Sequence, residues 1–241
     1  MTIKKPFLSI IMPLYNEQLR LKKLTKIYEY LNQQRFYYEV ILINDGSEDN
    51  TVKQLSRLSK RFRFQLITYQ KNKGKGFAIK TGMLASKGRF RLFIDIDLST
   101  PIEEFNKFIP YLLKHNVLIG SRKMAGSDMK KRQSFLRETL GKGFTKLSQV
   151  ILEVYVSDFT CGFKCFSEKA ALEIFDRQKI NRWGFDSEIL FIAKLRKFKI
   201  REIPIKWSDN PNTKVKFPQD IVTSLIDLCK IRYYNFKKIY A

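Results

Sequence analysis

Short apolar runs alternate with helix-spaced apolar residues through the first half of this chain, and that alternation restricts the fold more than any other feature. The runs at 7–15, Tyr38–Asp45, 64–69, 90–97 and 117–122 have strand length. Between them Leu24, Ile27, Tyr28 and Leu31, then Val52, Leu55, Leu58 and Phe62, recur at the spacing of one helix face. A third helix is expected from the glycine-rich turn at 72–76 to about Ser86. Thr100-Pro101-Ile102-Glu103 combines a capping residue, a proline at the first helical position and a glutamate three residues on. It predicts a helix to near His115, kinked at Pro110. Continuous apolar strands joined through helices make a mostly parallel sheet covered on both faces, so the expected class is α/β.

The second half is less regular. Leu136, Leu140, Phe144, Leu147 and Ile151 mark a long helix, 160–166 a strand, and 168–178 and 186–198 two more helices. Ile203, Ile205 and Trp207 alternate as a strand, Asp209-Asn210-Pro211-Asn212 is a turn, and an amphipathic helix is expected from about Pro218. Neither an internal repeat nor a low-complexity linker interrupts the 241 residues, which therefore read as one domain.

Charge narrows the partners. The chain carries 46 Lys+Arg against 23 Asp+Glu, a formal +23. Twelve Lys/Arg and no acidic residue lie between Asn50 and Ile94, and the segment after Asp227 is purely basic. Such a surface attracts nucleic acid, anionic membrane or phosphorylated substrates. Three cysteines and a single histidine argue against a disulfide scaffold and a Cys/His zinc site, and point to a reducing compartment. A Ser-His-Asp triad would need His115, which falls in a helical pattern. No apolar run approaches the roughly 18 residues of a membrane span, and the N-terminus lacks a signal-peptide layout. The expected location is cytoplasmic, soluble or peripheral on the cytoplasmic face of a membrane.

Ligands of open parallel sheets bind beyond the carboxyl ends of the strands, and here those ends are polar. They read Pro13-Leu14-Tyr15-Asn16-Glu17, Asn44-Asp45-Gly46-Ser47, Asp95-Ile96-Asp97 and Gly120-Ser121-Arg122. Asp95 and Asp97, two apart on a strand, share a face, and Mg²⁺ is commonly held by one or two carboxylates plus substrate phosphates. Asp45-Gly46-Ser47 reads either as a turn with a helix cap or as a carboxylate meeting a base or ribose edge. Asn72-Lys73-Gly74-Lys75-Gly76 is either a flexible basic turn or a phosphate cradle at a helix start.

These motifs resemble the inverting, GT-A-type family 2 glycosyltransferases, and among them the dolichyl-phosphate glucosyltransferase-like branch. The resemblance continues through Asp158-Phe159-Thr160-Cys161-Gly162-Phe163-Lys164, Trp183-Gly184-Phe185-Asp186-Ser187-Glu188, Glu202-Ile203-Pro204-Ile205-Lys206-Trp207 and Thr213-Lys214, in order along almost the whole chain. It implies a Rossmann-like GT-A domain with a nucleotide-sugar half at 1–124, an acceptor half at 125–217 and a basic amphipathic helix at 218–241. Carried over by motif, Pro13, Tyr15, Glu17 and Asp45 form the expected nucleotide-binding set, with Asn16 and Lys75 expected to bind substrate as well. Asp95 contacts the sugar nucleotide, Asp97 with Ser99 holds Mg²⁺ or Mn²⁺, and Arg122, Arg137 and Lys214 receive the acceptor phosphate. The Gly-Ser usual before the last lysine is Asn212-Thr213 here, and the transmembrane helices that relatives often carry have no counterpart in this sequence.

The reaction so implied moves a hexose, glucose from UDP-glucose, to a polyprenyl or dolichyl phosphate. Mannosyl or other sugar transfer to a lipid or glycan acceptor is the alternative. A phosphate monoester has a second pKa of about 6 and needs no strong base. Asp186 would serve as base for a sugar-hydroxyl acceptor, or else simply begins a helix. A nucleic-acid-binding module is the competing class. The row of strand-end carboxylates would repel a phosphate backbone, whereas a basic surface suits an enzyme on anionic lipid. The tail at 231–240, with Lys230, Arg232, Lys237 and Lys238, is expected to dock on that surface.

Overall fold

The computed structural model describes residues 5–131, 135–209 and 219–241, and side chains outside 129–138. Its strands are β1 (Leu8–Leu14), β2 (Tyr38–Asp45), β3 (Gln65–Tyr69), β4 (Phe90–Ile94), β5 (Val117–Ser121), β6 (Asp128–Lys131), β7 (Phe163–Ser167), β8 (Ile200–Pro204) and β9 (Lys206–Ser208). The helices are α1 (Leu24–Asn32), α2 (Thr51–Leu58), α3 (Lys75–Ala85), α4 (Phe135–Leu152), α5 (Glu168–Arg177), α6 (Phe185–Leu195) and α7 (Gln219–Phe236). Seven strands form one sheet in the order β3-β2-β1-β4-β7-β5-β8, while β6 and β9 pair separately.

Strand period divides the core in two. Leu8, Ile10, Met12 and Leu14 of β1 pack with Val40, Leu42, Phe90 and Leu92 beneath α1 and α2. Ile11, Ile41, Ile43 and Phe93 point the other way, onto Ala78, Ile79 and Met83 of α3 and the apolar faces of α5 and α6. Both faces are thus dry, as strands with no polar alternation require.

All pairings in the main sheet are parallel except those of β7, which runs antiparallel to both β4 and β5. The register sets Ile94 against Phe163. This reversal brings the start of β7, not its end, to the edge where β1, β2, β4 and β5 finish. Cys161 and Gly162 therefore arrive beside Asp95.

Three elements differ from expectation. The segment after Thr100 forms two 3-10 stretches, Ile102–Lys107 and Ile109–Tyr111, in place of one α-helix. Pro101 is extended and no side chain caps the turn, while Pro110 removes the N–H that would continue the ladder. Phe105 and Phe108, fully buried, fix the segment on the sheet instead. The Ile203–Trp207 strand is divided: β8 ends at Pro204, and Lys206 and Trp207 leave the main sheet to pair with β6. β6 itself carried no apolar pattern to announce it.

Candidate active site

The polar strand ends form one continuous edge, and each carboxylate on it has a distinct partner. Asp45, at the tip of β2, accepts the Lys73 amide on Oδ1 at 2.8 Å and the Gly74 amide on Oδ2 at 2.9 Å. The Asn72 Nδ2 donates to the same Oδ2 at 2.9 Å. One carboxylate thus holds the loop that opens α3, which joins two segments the sequence left separate. Burial pushes the Asp45 pKa up, and the two loop N–H groups oppose that shift.

The end of β1 is used partly as scaffold. Asn16 has a positive φ of 51° and accepts the Glu48 amide at 2.8 Å, while its own amide donates to Ser47 Oγ at 2.9 Å. The Glu17 carboxylate pairs with Arg20 at 3.0 Å, and its amide donates to Thr51 Oγ1 at 2.8 Å. Pro13 lies in the sheet opposite Ile43, and Tyr15 is half-buried beyond it. These contacts clamp the β1 tip to the loop after β2.

Asp95 follows β4 and pairs with Lys75 at 2.7 Å. Lys75 lies 5.6 Å from the centre of the Trp183 ring. Burial alone would lower the lysine pKa, but Asp95 and Asp186 together raise it, so the ammonium stays charged. Asp97 Oδ1 accepts the Ser99 amide at 2.9 Å, and Lys23 donates to the Asp97 carbonyl. Asp95, Asp97, Ser99, Thr100, Gly162 and Trp207 line one cleft.

That cleft suits a hard divalent cation in one respect: the half-buried Asp97 carboxylate and the Ser99 hydroxyl offer oxygen donors in it. Among the described residues no three His, Cys, Asp or Glu side chains cluster as a full metal cage. The donor set therefore fits the mode in which a diphosphate completes the coordination, not an all-protein site.

Asp186 lies in the first turn of α6, where it is 4% exposed and pairs with Lys164, a lysine on β7 with no exposure. Lys164 Nζ also donates to the Cys161 carbonyl at 2.7 Å. Burial pushes the Asp186 pKa up against the pull of Lys164 and Lys75. Arg122, after β5, meets the buried Asp158 through two bonds of 2.7 Å, from Nε and Nη2. Its guanidinium also lies 5.3 Å from the centre of the Trp207 ring.

The fold thus brings Asp45, Lys75, Asp95, Asp97, Ser99, Arg122 and Asp186 to one edge. Arg137 falls on α4 with its side chain outside the described residues, as Lys214 is altogether. Sequence reasoning gave no role to Asp158, Lys164 or Trp207. All three stood inside quoted motifs, but only the fold shows that Lys164 meets Asp186 and that Asp158 and Trp207 meet Arg122.

Comparison with known proteins supplies the family. The model of the family described as "Glycosyl transferase family 2" matches residues 9–175, from β1 through α5. The chain belongs to glycosyl transferase family 2. Among its family 2 relatives, a dolichyl-phosphate beta-glucosyltransferase of Dictyostelium discoideum is 34% identical over 94% of this chain and 74% of its own length. The corresponding protein of Saccharomyces cerevisiae is 32% identical over 97% of this chain and 76% of its own length. Glucosyl-3-phosphoglycerate synthase of Mycobacterium tuberculosis, solved with Mn²⁺, UDP-glucose and glycerol 3-phosphate, superposes with a TM-score of 0.68 at 16% identity. That match covers 94% of this chain and 80% of that one, and establishes a shared GT-A fold. This family 2 chain is a glycosyltransferase related to the dolichyl-phosphate glucosyltransferases. Among its described residues no helix is long and apolar enough to cross a membrane.

Proposed function

We propose that the protein transfers glucose from UDP-glucose to a polyprenyl or dolichyl phosphate, with inversion, while resting on an anionic membrane surface. The observation that carries the reading is the strand-end edge itself: a carboxylate-held loop at a helix start, an Asp-Ile-Asp pair, and a fixed arginine, in a chain whose relatives act on dolichyl phosphate. Under this reading residues 1–124 receive the donor and 125–217 the acceptor. Asp45 and the 72–76 loop receive the nucleotide, with Pro13, Tyr15, Asn16 and Glu17 forming the wall beside it. Lys75, held by Asp95, would meet donor phosphate or sugar oxygens.

Asp97 and Ser99 would hold Mg²⁺ or Mn²⁺. Such a cation, once bound, neutralises charge developing on the departing diphosphate. Arg122 is pre-oriented by Asp158, which occupies Nε and Nη2 and leaves the Nη1 edge for the acceptor phosphate, and Arg137 and Lys214 are proposed to join it there. Because that phosphate is already largely anionic near neutral pH, the protein's task is to hold two anions in line, not to remove a proton. Asp186, enclosed by Lys164 and Lys75, serves this scheme as an electrostatic anchor. It becomes a base only if the acceptor is a sugar hydroxyl.

The deciding experiment is a donor and acceptor screen on the purified protein with Mg²⁺ or Mn²⁺. Transfer from UDP-glucose to a polyprenyl phosphate, in preference to GDP-mannose in direct competition, is the expected result. Preference for GDP-mannose, or transfer only to free sugars, would overturn it.

A further inference from the structure

Behind the donor edge, residues 178–184 cross the start of α3 as a strap. The Asn181 carbonyl accepts the Phe77 amide at 3.0 Å. Gln178 Nε2 donates to the Gly76 carbonyl at 3.0 Å and to the Ile180 carbonyl at 2.8 Å. Lys80 of α3 reaches the Gln178 carbonyl at 2.8 Å. The approach is close enough to demand glycine: a Cβ on Gly74 would stand 2.5 Å from the Asn181 oxygen, and one on Gly76 2.8 Å from the Ile180 oxygen. The strap therefore sets where the Lys73 and Gly74 amides, and with them Asp45, can lie.

The strap is in turn fixed from the far side. Glu188, with no exposure, accepts the Lys179 amide on Oε1 at 2.9 Å and the Ile180 amide on Oε2 at 2.8 Å. Its third donor comes from the end of the chain: the Tyr240 hydroxyl donates to Oε1 at 2.7 Å. Tyr240 is 2% exposed, and its ring packs edge-on against Phe191 and Tyr234. Arg177 Nε holds its carbonyl at 3.2 Å. A buried carboxylate without a full complement of donors is costly, so the tyrosine hydroxyl completes a site that the two strap amides only partly satisfy. Burial pushes the Glu188 pKa up, against these three hydrogen bonds.

We propose that Glu188 and Tyr240 are positioning residues for nucleotide binding, acting through the strap on the loop at 72–76 and on Asp45. The inference rests on the donor-site reading above and deepens it: Tyr240, beyond α7, governs the affinity for the donor nucleotide. Neither residue reaches the cleft beside Asp97, so neither touches the reacting atoms. Their influence is expected on the donor half, because the strap's side-chain and main-chain bonds run to α3 at Gly76, Phe77 and Lys80.

Tyr240→Phe removes the hydroxyl and keeps the ring packing, and Glu188→Gln keeps the size and one carbonyl acceptor. Both are to be compared with the wild type for UDP binding with Mn²⁺, for the separate KM values of donor and acceptor, and for hydrogen exchange of the 70–78 segment without ligand. The expected result for Tyr240→Phe is a donor KM and UDP Kd weakened about tenfold, the size of one hydrogen bond to a charged group. The acceptor KM should be unchanged, kcat should fall by less than the donor KM rises, and exchange at 70–78 should be faster. Unchanged UDP affinity in both variants overturns the proposal, as does a parallel rise of donor and acceptor KM, which marks a merely structural contact. The exchange arm separates the two readings. If the wild type binds no UDP, the donor assignment fails. Unaltered exchange at 70–78 in both variants defeats the strap linkage whatever the donor is.

Discussion

Gly162 and Asp95 share one space: a Cβ on the glycine would stand 2.8 Å from the aspartate Cγ and closer still to Oδ2. The antiparallel pairing of β7 with β4 places them side by side, and the missing side chain lets the Asp95 carboxylate lie against the backbone while it holds Lys75.

Gly162→Ala should therefore turn the Asp95 carboxylate and release Lys75 without unfolding the sheet. Because an ångström of displacement at a reacting centre can cost about a hundredfold, transfer should fall by at least that factor while the melting temperature moves little. Near-wild-type turnover in this variant would mean that Asp95 does not position the donor.

Asp97→Asn tests the cation. It preserves size and the bond from the Ser99 amide but removes the charge a divalent ion needs. The expected outcome is a loss of transfer of about two to three orders of magnitude, comparable to removing a main electrostatic stabiliser of the transition state, with circular dichroism unchanged. Chelation of the wild type by EDTA should give the same loss, restored by Mn²⁺. Full activity in EDTA would remove the metal from the scheme.

Lys164 is a charge of the site with no exposure, and its removal tests energetics independently of activity. Lys164→Met leaves Asp186 enclosed with its nearest cation gone, and breaking a buried pair from one side costs about 3–5 kcal/mol. Adding Asp186→Asn to that variant removes the stranded charge and should recover more than half of the loss. Urea denaturation of the wild type and of the single and double variants reads both numbers. If the double variant is no more stable than Lys164→Met, burial of the unpaired carboxylate is not the cause.

Asp158 supplies a pH dependence of definite sign. Burial would raise its pKa, but the Arg122 guanidinium outweighs burial and holds the carboxyl below the usual carboxylate range. A carboxyl depressed in the folded state stabilises it above the unfolded pKa of about 4 and loses that contribution as pH falls through the folded value. Stability should thus decline on acidification below about pH 4, and Asp158→Asn should flatten that decline while lowering stability at pH 7. A variant with the same acid profile as the wild type would assign the transition to other groups.

The inner strands could be read from sequence because they are buried on both faces and so appear as apolar runs, as at Val40–Ile43 in β2. The polar strand ends were legible for the same reason, since four of the five runs in the first half stop at a carboxylate or arginine. The partners were not. Lys164 sits in an apolar strand whose neighbours Phe163, Cys165 and Phe166 suggest only core, and nothing local shows that its ammonium meets Asp186, 22 residues on. The helix expected after Thr100 failed because three start signals in sequence do not outweigh the tertiary packing of Phe105 and Phe108 and the proline that follows.

The C-terminal helix carries the last prediction, and the structure changes its basis. Ile231 and Tyr240 are buried, Lys230 pairs with Asp227, and Arg232 lies 3.9 Å from Glu153, so part of the 231–240 segment is structural. What faces outward on α7 is a stripe at i, i+4, i+7, i+11 and i+14: Val222, Ile226, Cys229, Tyr233 and Phe236, with Phe236 80% exposed. On α4, which packs against α7, Leu147 and Val150 are exposed as well. Lys230, Arg232, Lys237 and Lys238 lie on or beside the stripe, with no acidic residue after Asp227. An apolar stripe edged by cations matches an anionic bilayer surface, where rings and aliphatic groups enter the interface and ammonium groups meet headgroups at about 1 kcal/mol each. Co-sedimentation with vesicles containing phosphatidylserine should retain the protein and vesicles of phosphatidylcholine alone should not. Ile226→Ser with Phe236→Ser should weaken binding to the anionic vesicles more than Lys237→Gln with Lys238→Gln does, because the former pair removes apolar area from the stripe while two of the four cations remain in the latter. Equal recovery with both vesicle types would defeat the electrostatic part of the prediction. A protein that sediments as a dimer without lipid, and becomes a monomer in the Ser variant, would assign the stripe to a second copy of the chain.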